Sequence, residues 1–556
     1  MKIERFMLLT LLSLLFLFSN LTFATNTIKC NVATFASIST PKDSLSLKID
    51  SASIVPLSGS TQSYCDVKGH ILTSKPVTPD DQGIKFEVKM PIHWNNKLLM
   101  FGNGGLGGSI ESADTGNDSD FGGKFSDNWG LDRGYTIVAT DTGHVGISRD
   151  FTNFRNPNGS QNIDRIINWG NRSTHLVAIT TQKIVNAYYR TNPRHSYFMG
   201  FSNGGRQALM EAQRYPGDFD GIISGAPSGA LVETIIRFIV NELAQYPVNV
   251  ESPVLTAANI ALLGSTTLKI CGAADGIQDW LITNPESCHF KPSKDLPKCS
   301  NNVANANCFT AHQIEVIDTL YSEIRIPGHG EIPRLLPGYE NNYWPLWIVG
   351  KGNPNLITTG MPSVEYLYAL NHLKYFVYND LSYDMHDFIL SVHAKDMFLT
   401  PSGVNLYQIT EANNPDLSSF KEKNGKLILI NGLADPIIPV TQTIKYYENV
   451  KQVMGVDDNK LQKFIRFFIV PGMDHTSPSP SLPTKIDPLT ALENWVEKGV
   501  APDSILSYRT NVTGAIDWSR PVCSYPKRAI LNAGKNPKDP IVTHDAANFH
   551  CANTPH

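Results

Sequence analysis

Three residues that stand far apart in the chain have the side chains that together cleave acyl bonds: Ser202, Asp435 and His475. Ser202 lies in "YFMGFSNGGRQ", inside a G-x-S-x-G formed by Gly200, Ser202 and Gly204. The run "SYFMG" before it is apolar and β-prone, and "GRQALMEAQRYP" after it is a helix former that ends before Pro216. Strand, tight turn and helix is the setting of a nucleophile elbow, where the turn exposes the serine oxygen and small flanking residues let the backbone bend. A serine hydroxyl needs a base, and the base needs an orienting carboxylate. "KLILINGLADPIIP" predicts a strand from Leu427 to Ile430 whose following loop carries Asp435. "FIRFFIVPGMDHTSP" predicts a second strand, Phe464 to Val470, whose loop carries His475. Serine, acid, histidine is the chain order expected after a nucleophile elbow, and open α/β sheets place ligands at the C-terminal ends of their strands. Asp474 is the rival acid, but neighbouring residues cannot easily face each other for the Nδ1 bond. Among the other histidines, His144 follows a strand but precedes the serine, and His544 and His550 lie in a polar tail with no strand to deliver them.

A tetrahedral oxyanion wants two backbone donors. One is the N–H of Asn203, at the start of the elbow helix. The other is expected from a Gly-rich loop after an earlier strand, and "KLLMFGNGGLGGS" offers Gly104 and Gly105 after a strand from Leu98 to Phe101. The glycine spacing fits neither a dinucleotide fingerprint nor a P-loop.

The chain opens with Lys2 and Arg5, an apolar run from Phe6 to Phe18, and small residues before Ala24. That pattern predicts a signal peptide over residues 1–24 and a secreted or periplasmic mature protein. Removing Lys2, Arg5 and Glu4 takes away two positive charges and one negative, so the formal charge moves from −4 to −5. Such a balance does not point to nucleic acid or an anionic membrane surface as a partner. The hydrophobic fraction of 41% indicates a well-cored globular chain, and its length calls for at least two domains. The eight cysteines suggest the local pairs Cys30–Cys65, Cys271–Cys288, Cys299–Cys308 and Cys523–Cys551, out of about 105 possible pairings.

Several ordered stretches together resemble the tannase and feruloyl esterase family, α/β-hydrolases that cleave esters of phenolic acids. They are "GNGGLGGS", "ATDTGH", "FSNGGRQALMEAQRYPGDFDGIISGAP", "GLADPIIP", "PGMDH", "RPVCSYP" and "DAANFHC". The resemblance implies an α/β-hydrolase fold with a large inserted lid. It assigns Ser202 as nucleophile, Asp435 as orienting acid, His475 as base, and Asn203 with Gly104 or Gly105 as oxyanion donors. The expected organisation is a catalytic domain in two parts, residues 25–230 and 418–556, with a lid over residues 231–417 that holds two cysteine pairs and no βαβ rhythm. Lid residues Tyr343, Trp344, Trp347 and Tyr366 could face an aromatic acyl group.

Two departures from the family pattern stand out. Where the family has a disulfide joining nucleophile loop to base loop, this chain has Phe201 and Thr476. The expectation is that a crosslink has been lost while the catalytic groups stay, with Phe201 filling volume beneath the elbow. The family also carries a calcium loop in its lid, matched here by "CGAADGIQDWLITNPESC". Asp275, Asp279 and the carbonyls of Ile277 and Leu281 are the expected Ca²⁺ ligands, although Gly272 stands where a third aspartate is usual. No organic cofactor is implied. The function expected is a secreted serine carboxylesterase acting on esters of aromatic or phenolic acids. A general short-chain esterase or lipase, and an idle binding protein on the same fold, are the alternatives.

Overall fold

The apolar runs around the candidate residues become neighbouring strands of one nine-stranded sheet in the computed structural model, which describes residues 29–553 apart from 79–80, 82, 111–128, 148, 351–361, 476–478 and 480. The expected signal peptide, residues 1–24, and Thr476 lie outside the described residues. In chain order the strands are β1 (Ser46–Pro56), β2 (Ser63–Leu72), β3 (Ile84–Pro91), β4 (Lys97–Phe101), β5 (Thr136–Thr140), β6 (His195–Phe201) and β7 (Gly221–Gly225). A small hairpin follows, β8 (Ile324–Ile326) with β9 (Gly330–Ile332), and then β10 (Lys426–Gly432) and β11 (Ile465–Val470) return to the main sheet. The spatial order is β1-β2-β3-β5-β4-β6-β7-β10-β11. β1, β2, β3 and β5 pair antiparallel, and every pairing from β5 onward is parallel.

The parallel strands are covered on both faces, which is why they read as unbroken apolar runs. Leu98, Met100, Leu427 and Leu429 enter one core; Leu99, Phe101, Ile428 and Ile430 enter the other. The helices Ser173–Tyr189, Asn203–Arg214 and Val440–Val453 supply residues to the first core, and Pro488–Lys498 and Leu231–Gln245 to the second. From β4 the chain turns one way to β5 and later resumes on the other side with β6, so the order reverses between β4 and β6. A crevice opens outside the carboxyl ends at such a switch point. The Gly-rich loop leaves β4 there and the elbow leaves β6.

β7 and β10 are adjacent in the sheet yet separated by some two hundred residues of chain, from Gly225 to Lys426. The intervening segment is mostly helical and has a core of its own, including Leu255, Leu263, Phe309, Ile317 and Trp344. Within the range 418–556, the last part stands apart from the sheet. β12 (Ser504–Thr510) pairs with β13 (Ile516–Cys523), and β14 (Arg528–Leu531) with β15 (Phe549–Ala552), as separate two-stranded ribbons. Trp518 of β13 packs with Cys271, Leu281 and Ile282, so this tail docks on the inserted segment. The cysteines pair as Cys30–Cys65, Cys271–Cys288, Cys299–Cys308 and Cys523–Cys551. No helix among the described residues is long and apolar enough to cross a membrane.

Candidate active site

β6 ends at Phe201, and the helix begins at Asn203, so Ser202 must reverse the chain alone. It does so at φ 61°, ψ −119°, a left-handed conformation that side chains other than glycine rarely adopt. The bend brings backbone onto backbone: a Cβ on Gly200 would stand 2.3 Å from the Gly204 carbonyl oxygen, and one on Gly205 2.3 Å from that of Gly225. Only glycine fits at either position. The Ser202 N–H donates to the Gly225 carbonyl at 2.9 Å, which pins the strained residue to β7.

The loops after β10 and β11 meet this elbow. His475 Nε2 lies 2.9 Å from Ser202 Oγ, and His475 Nδ1 lies 2.8 Å from Asp435 Oδ2. The other Asp435 oxygen accepts from the N–H groups of Ile437 at 2.9 Å and Ile438 at 3.0 Å, which locks the carboxylate in its loop. Asp435, not the neighbouring Asp474, meets Nδ1. Asp435 and His475 are both buried, while Ser202 is partly open to the cavity. The Phe201 ring is 1% exposed and sits 5.4 Å from the imidazole of His475. The residue at the lost crosslink position therefore touches the base itself.

Asn203, Gly104 and Gly105 line the cavity beside Ser202. As the first helical residue, Asn203 has an N–H with no intrahelical partner. Among the described residues, the N–H groups of Gly104 and Gly105 donate to no backbone carbonyl. The Gly-rich loop is tied to the elbow helix from both sides. Asn203 Nδ2 donates to the Asn103 carbonyl at 3.2 Å, and the Asn103 N–H donates to Gln207 Oε1 at 3.2 Å. Sequence reasoning missed the anchor of this arrangement, Arg206. Its guanidinium is fully buried and donates to Asn203 Oδ1 (2.9 and 2.6 Å) and to the carbonyls of Gly170, Trp169 and Thr410. It also stacks 4.4 Å over the Trp169 ring. Burial pulls its pKa down to about 9. The signal was an arginine one helical turn after the serine, on the helix that leaves the elbow.

The cavity over Ser202 holds about 460 Å³. Its walls are mainly apolar and aromatic: Phe151, Phe238, Ile235, Ile437, Trp347 and Tyr368 are among them, with Arg149, Ser228, Thr234 and His372 adding polar groups. Of the four lid aromatics proposed from sequence, Trp347 lines the cavity, edge-on to His475 at 5.5 Å. Trp344 packs in the lid's own core, and Tyr366 stands edge-on to Tyr246 in the core below.

Several carboxyls lie buried around this centre. Burial pushes Asp141 up to about 7 and Glu365 and Glu411 up to about 8. An acid with a raised pKa holds its proton in the folded chain after the unfolded chain has released it, so stability falls as pH rises toward the folded value. Burial holds His144 and His372 down to about 3, so the folded chain loses their protons far below this range, while the unfolded histidines are half deprotonated at about pH 6.5 and oppose the trend only weakly above it. The carboxyls thus dominate between pH 6.5 and 8. Melting temperature is expected to fall across that window; a flat or rising profile from pH 6.5 to 8.5 would refute the assignment.

A serine open to the cavity on a strained strand-to-helix turn, at the switch point of a doubly covered sheet and bonded to a His–Asp pair from two later strands, defines an α/β-hydrolase of the serine type. The chain belongs to the tannase and feruloyl esterase family, whose model, "Tannase and feruloyl esterase", matches residues 65–551. It is a carboxylic ester hydrolase. An uncharacterised esterase of Xanthomonas campestris is 29% identical over 531 residues, covering 88% of this chain and 85% of the relative. Feruloyl esterase B of Aspergillus niger is 26% identical over 486 residues, covering 83% and 84%. In structure, feruloyl esterase B of Aspergillus oryzae superposes with a TM-score of 0.77 at 23% identity, over 94% of this chain and all of that one. The tannin acyl hydrolase of Aspergillus niger gives 0.71 at 21%, over 95% and 96%.

The expected calcium loop folds as a tight turn, but its donors do not fit the ion. Asp275 accepts from the Ile277 N–H at 3.0 Å with one oxygen and from the Thr283 hydroxyl at 2.6 Å with the other. Asp279 accepts from the Leu281 N–H at 3.1 Å and pairs through its second oxygen with Arg520. Both oxygens of Asp275 and both of Asp279 are therefore engaged, and Gly272 contributes no acid where the family pattern has one. Ca²⁺ affinity follows ligand charge, and here a guanidinium already neutralises Asp279, one of the two expected carboxylate ligands. Asp275, Ile277, Asp279 and Leu281 thus form a loop closed by Arg520 rather than a ready calcium cage. Arg520, 1% exposed, also donates to the Thr543 carbonyl at 2.6 Å and lies 3.9 Å over the Phe549 ring. Arg520→Ala is expected to cost about 3–5 kcal/mol, because it strands Asp279 without its buried counter-charge. Equilibrium denaturation measures this, and a loss below about 1 kcal/mol would contradict it.

Proposed function

We propose that this protein hydrolyses esters of phenolic acids through an acyl-enzyme on Ser202, and that it works in an oxidising compartment outside the cytoplasm. The observation that carries the reading is the aromatic-walled cavity of about 460 Å³ opening directly on the Ser–His–Asp arrangement. A flat phenolic acyl group offers the wall residues Phe151, Phe238, Trp347 and Tyr368 a face or edge to pack against. His475 Nε2 takes the proton as Ser202 Oγ attacks the ester carbonyl. The tetrahedral oxyanion then points at the N–H groups of Asn203 and Gly104 or Gly105. As it collapses, His475 returns the proton to the leaving alcohol, and Asp435 stabilises the imidazolium between these two steps. Water, activated by the same histidine, releases the acid. Four disulfides support the proposed compartment.

A panel of ferulate, gallate, simple aryl and short alkyl esters tests the substrate class. The highest kcat/KM is expected on the phenolic esters; equal or better turnover of short alkyl esters would replace this reading with a general esterase. Failure of a fluorophosphonate to modify Ser202 would remove the enzyme mechanism altogether. N-terminal sequencing of the exported protein tests cleavage after Ala24.

A further inference from the structure

On the far side of the elbow helix, three residues from separate segments converge on one point. His175 comes from the helix Ser173–Tyr189, Glu211 from the third turn of the helix Asn203–Arg214, and Asp218 from the turn before β7. One ligand atom from each lies within 4.8 Å of those of the other two. Among the described residues this is the one cluster of three or more metal-ligating side chains so arranged. Glu211 is 0% exposed, no nitrogen or hydroxyl donor reaches either of its carboxylate oxygens, and the group facing it is another carboxyl, that of Asp218. An ionised carboxylate buried without a partner is costly, so Glu211 requires either a proton or a cation. His175 Nδ1 lies 2.6 Å from Asp218 Oδ2, and its ring is held by stacking on Tyr215 at 3.8 Å. The side chains of His175 and Asp218 keep 25% and 11% of their surface in solvent, which leaves an entry path and room for a water ligand.

We propose that His175, Glu211 and Asp218 form a binding site for a divalent transition-metal ion of the zinc type, with water in the fourth position. One imidazole nitrogen and two carboxylates suit Zn²⁺ or its neighbours better than Ca²⁺, which prefers all-oxygen cages. Binding replaces the His175–Asp218 hydrogen bond by two bonds to the metal and gives Glu211 the counter-charge it lacks. Glu211 lies nine residues beyond Ser202, about 13 Å along the helix axis, so the ion takes no part in ester chemistry. It clamps the C-terminal end of the nucleophile helix to the helix behind it.

The test uses full-length mature protein, stripped with chelator, dialysed and titrated with ZnCl₂. Wild type is expected to retain one zinc per chain after gel filtration, by elemental analysis, and to gain about 3 °C in melting temperature. CoCl₂ should give visible d–d absorption bands. In Glu211→Gln the amide can donate to Asp218, so the fold is kept while the charge is lost. This variant and His175→Gln should lose the zinc, the cobalt spectrum and the thermal gain, with kcat on a phenolic ester unchanged. If wild type retains no zinc, or if both variants retain as much as wild type, the proposal falls and the cluster is a proton-sharing carboxyl pair beside a histidine. Should one variant fail to fold, the other together with the wild-type stoichiometry still decides.

Discussion

Ser202→Ala is expected to lower kcat by about 10⁶-fold, and His475→Ala by a similar factor, because the residues act as one unit. The geometry behind this is the chain of two bonds, 2.9 Å from Ser202 Oγ to Nε2 and 2.8 Å from Nδ1 to Asp435. Without the serine oxygen no acyl-enzyme forms, and without the imidazole the hydroxyl keeps its proton. Asp435→Asn should cost about 10⁴-fold, since an amide in place of the carboxylate favours the wrong imidazole tautomer. The backbone donors Asn203 and Gly104 or Gly105 are untouched by these changes, so a residual rate above uncatalysed hydrolysis is expected. Steady-state kinetics on a ferulate or gallate ester, with circular dichroism to confirm folding, measures all three. Near-parental turnover in the Ser202 variant would refute the mechanism.

Phe201→Ala is expected to destabilise the protein by about 3–5 kcal/mol and to lower activity although no catalytic atom is removed. The ring is 1% exposed, belongs to the same buried core as Met199, Ile223 and Ile430, and borders the cavity beside Ser202. It also stands 5.4 Å from the His475 ring, and so supports nucleophile and base at once. Truncation leaves a cavity under Ser202, whose φ of 61° is held only by its surroundings. Activity should therefore fall through kcat more than through KM. Phe201→Leu keeps most of the volume and should recover much of the stability. A Phe201→Ala protein as stable and active as the parent would show that the ring is not what replaces the absent crosslink.

Much of the site was legible before any fold was known, and the reason is local. Gly200, Ser202 and Gly204 announce a turn that only small residues permit, and the apolar runs ending near Asp435 and His475 are strands buried on both faces. Period, glycine placement and chain order depend on a few adjacent residues, so they survive in one dimension. The cysteine pairs were readable in the same way, because each joins positions close in the chain.

What the sequence left open depends on partners brought together from distant segments. The counter-charge of Asp279 is Arg520, some 240 residues later, whose guanidinium reaches it only because the C-terminal ribbons dock on the lid. Arg206 reads as an ordinary helix residue until Gly170 and Thr410 bring carbonyls to it from two other segments. The same is true of Trp347: nothing in its neighbours distinguishes it from Trp344, yet one lines the cavity and the other fills the lid core. The amino-acid sequence by itself determined which residues could react and in what order strands would present them. Only the tertiary structure decided what surrounds those residues, because burial, counter-charge and cavity shape are set by which distant segments pack together.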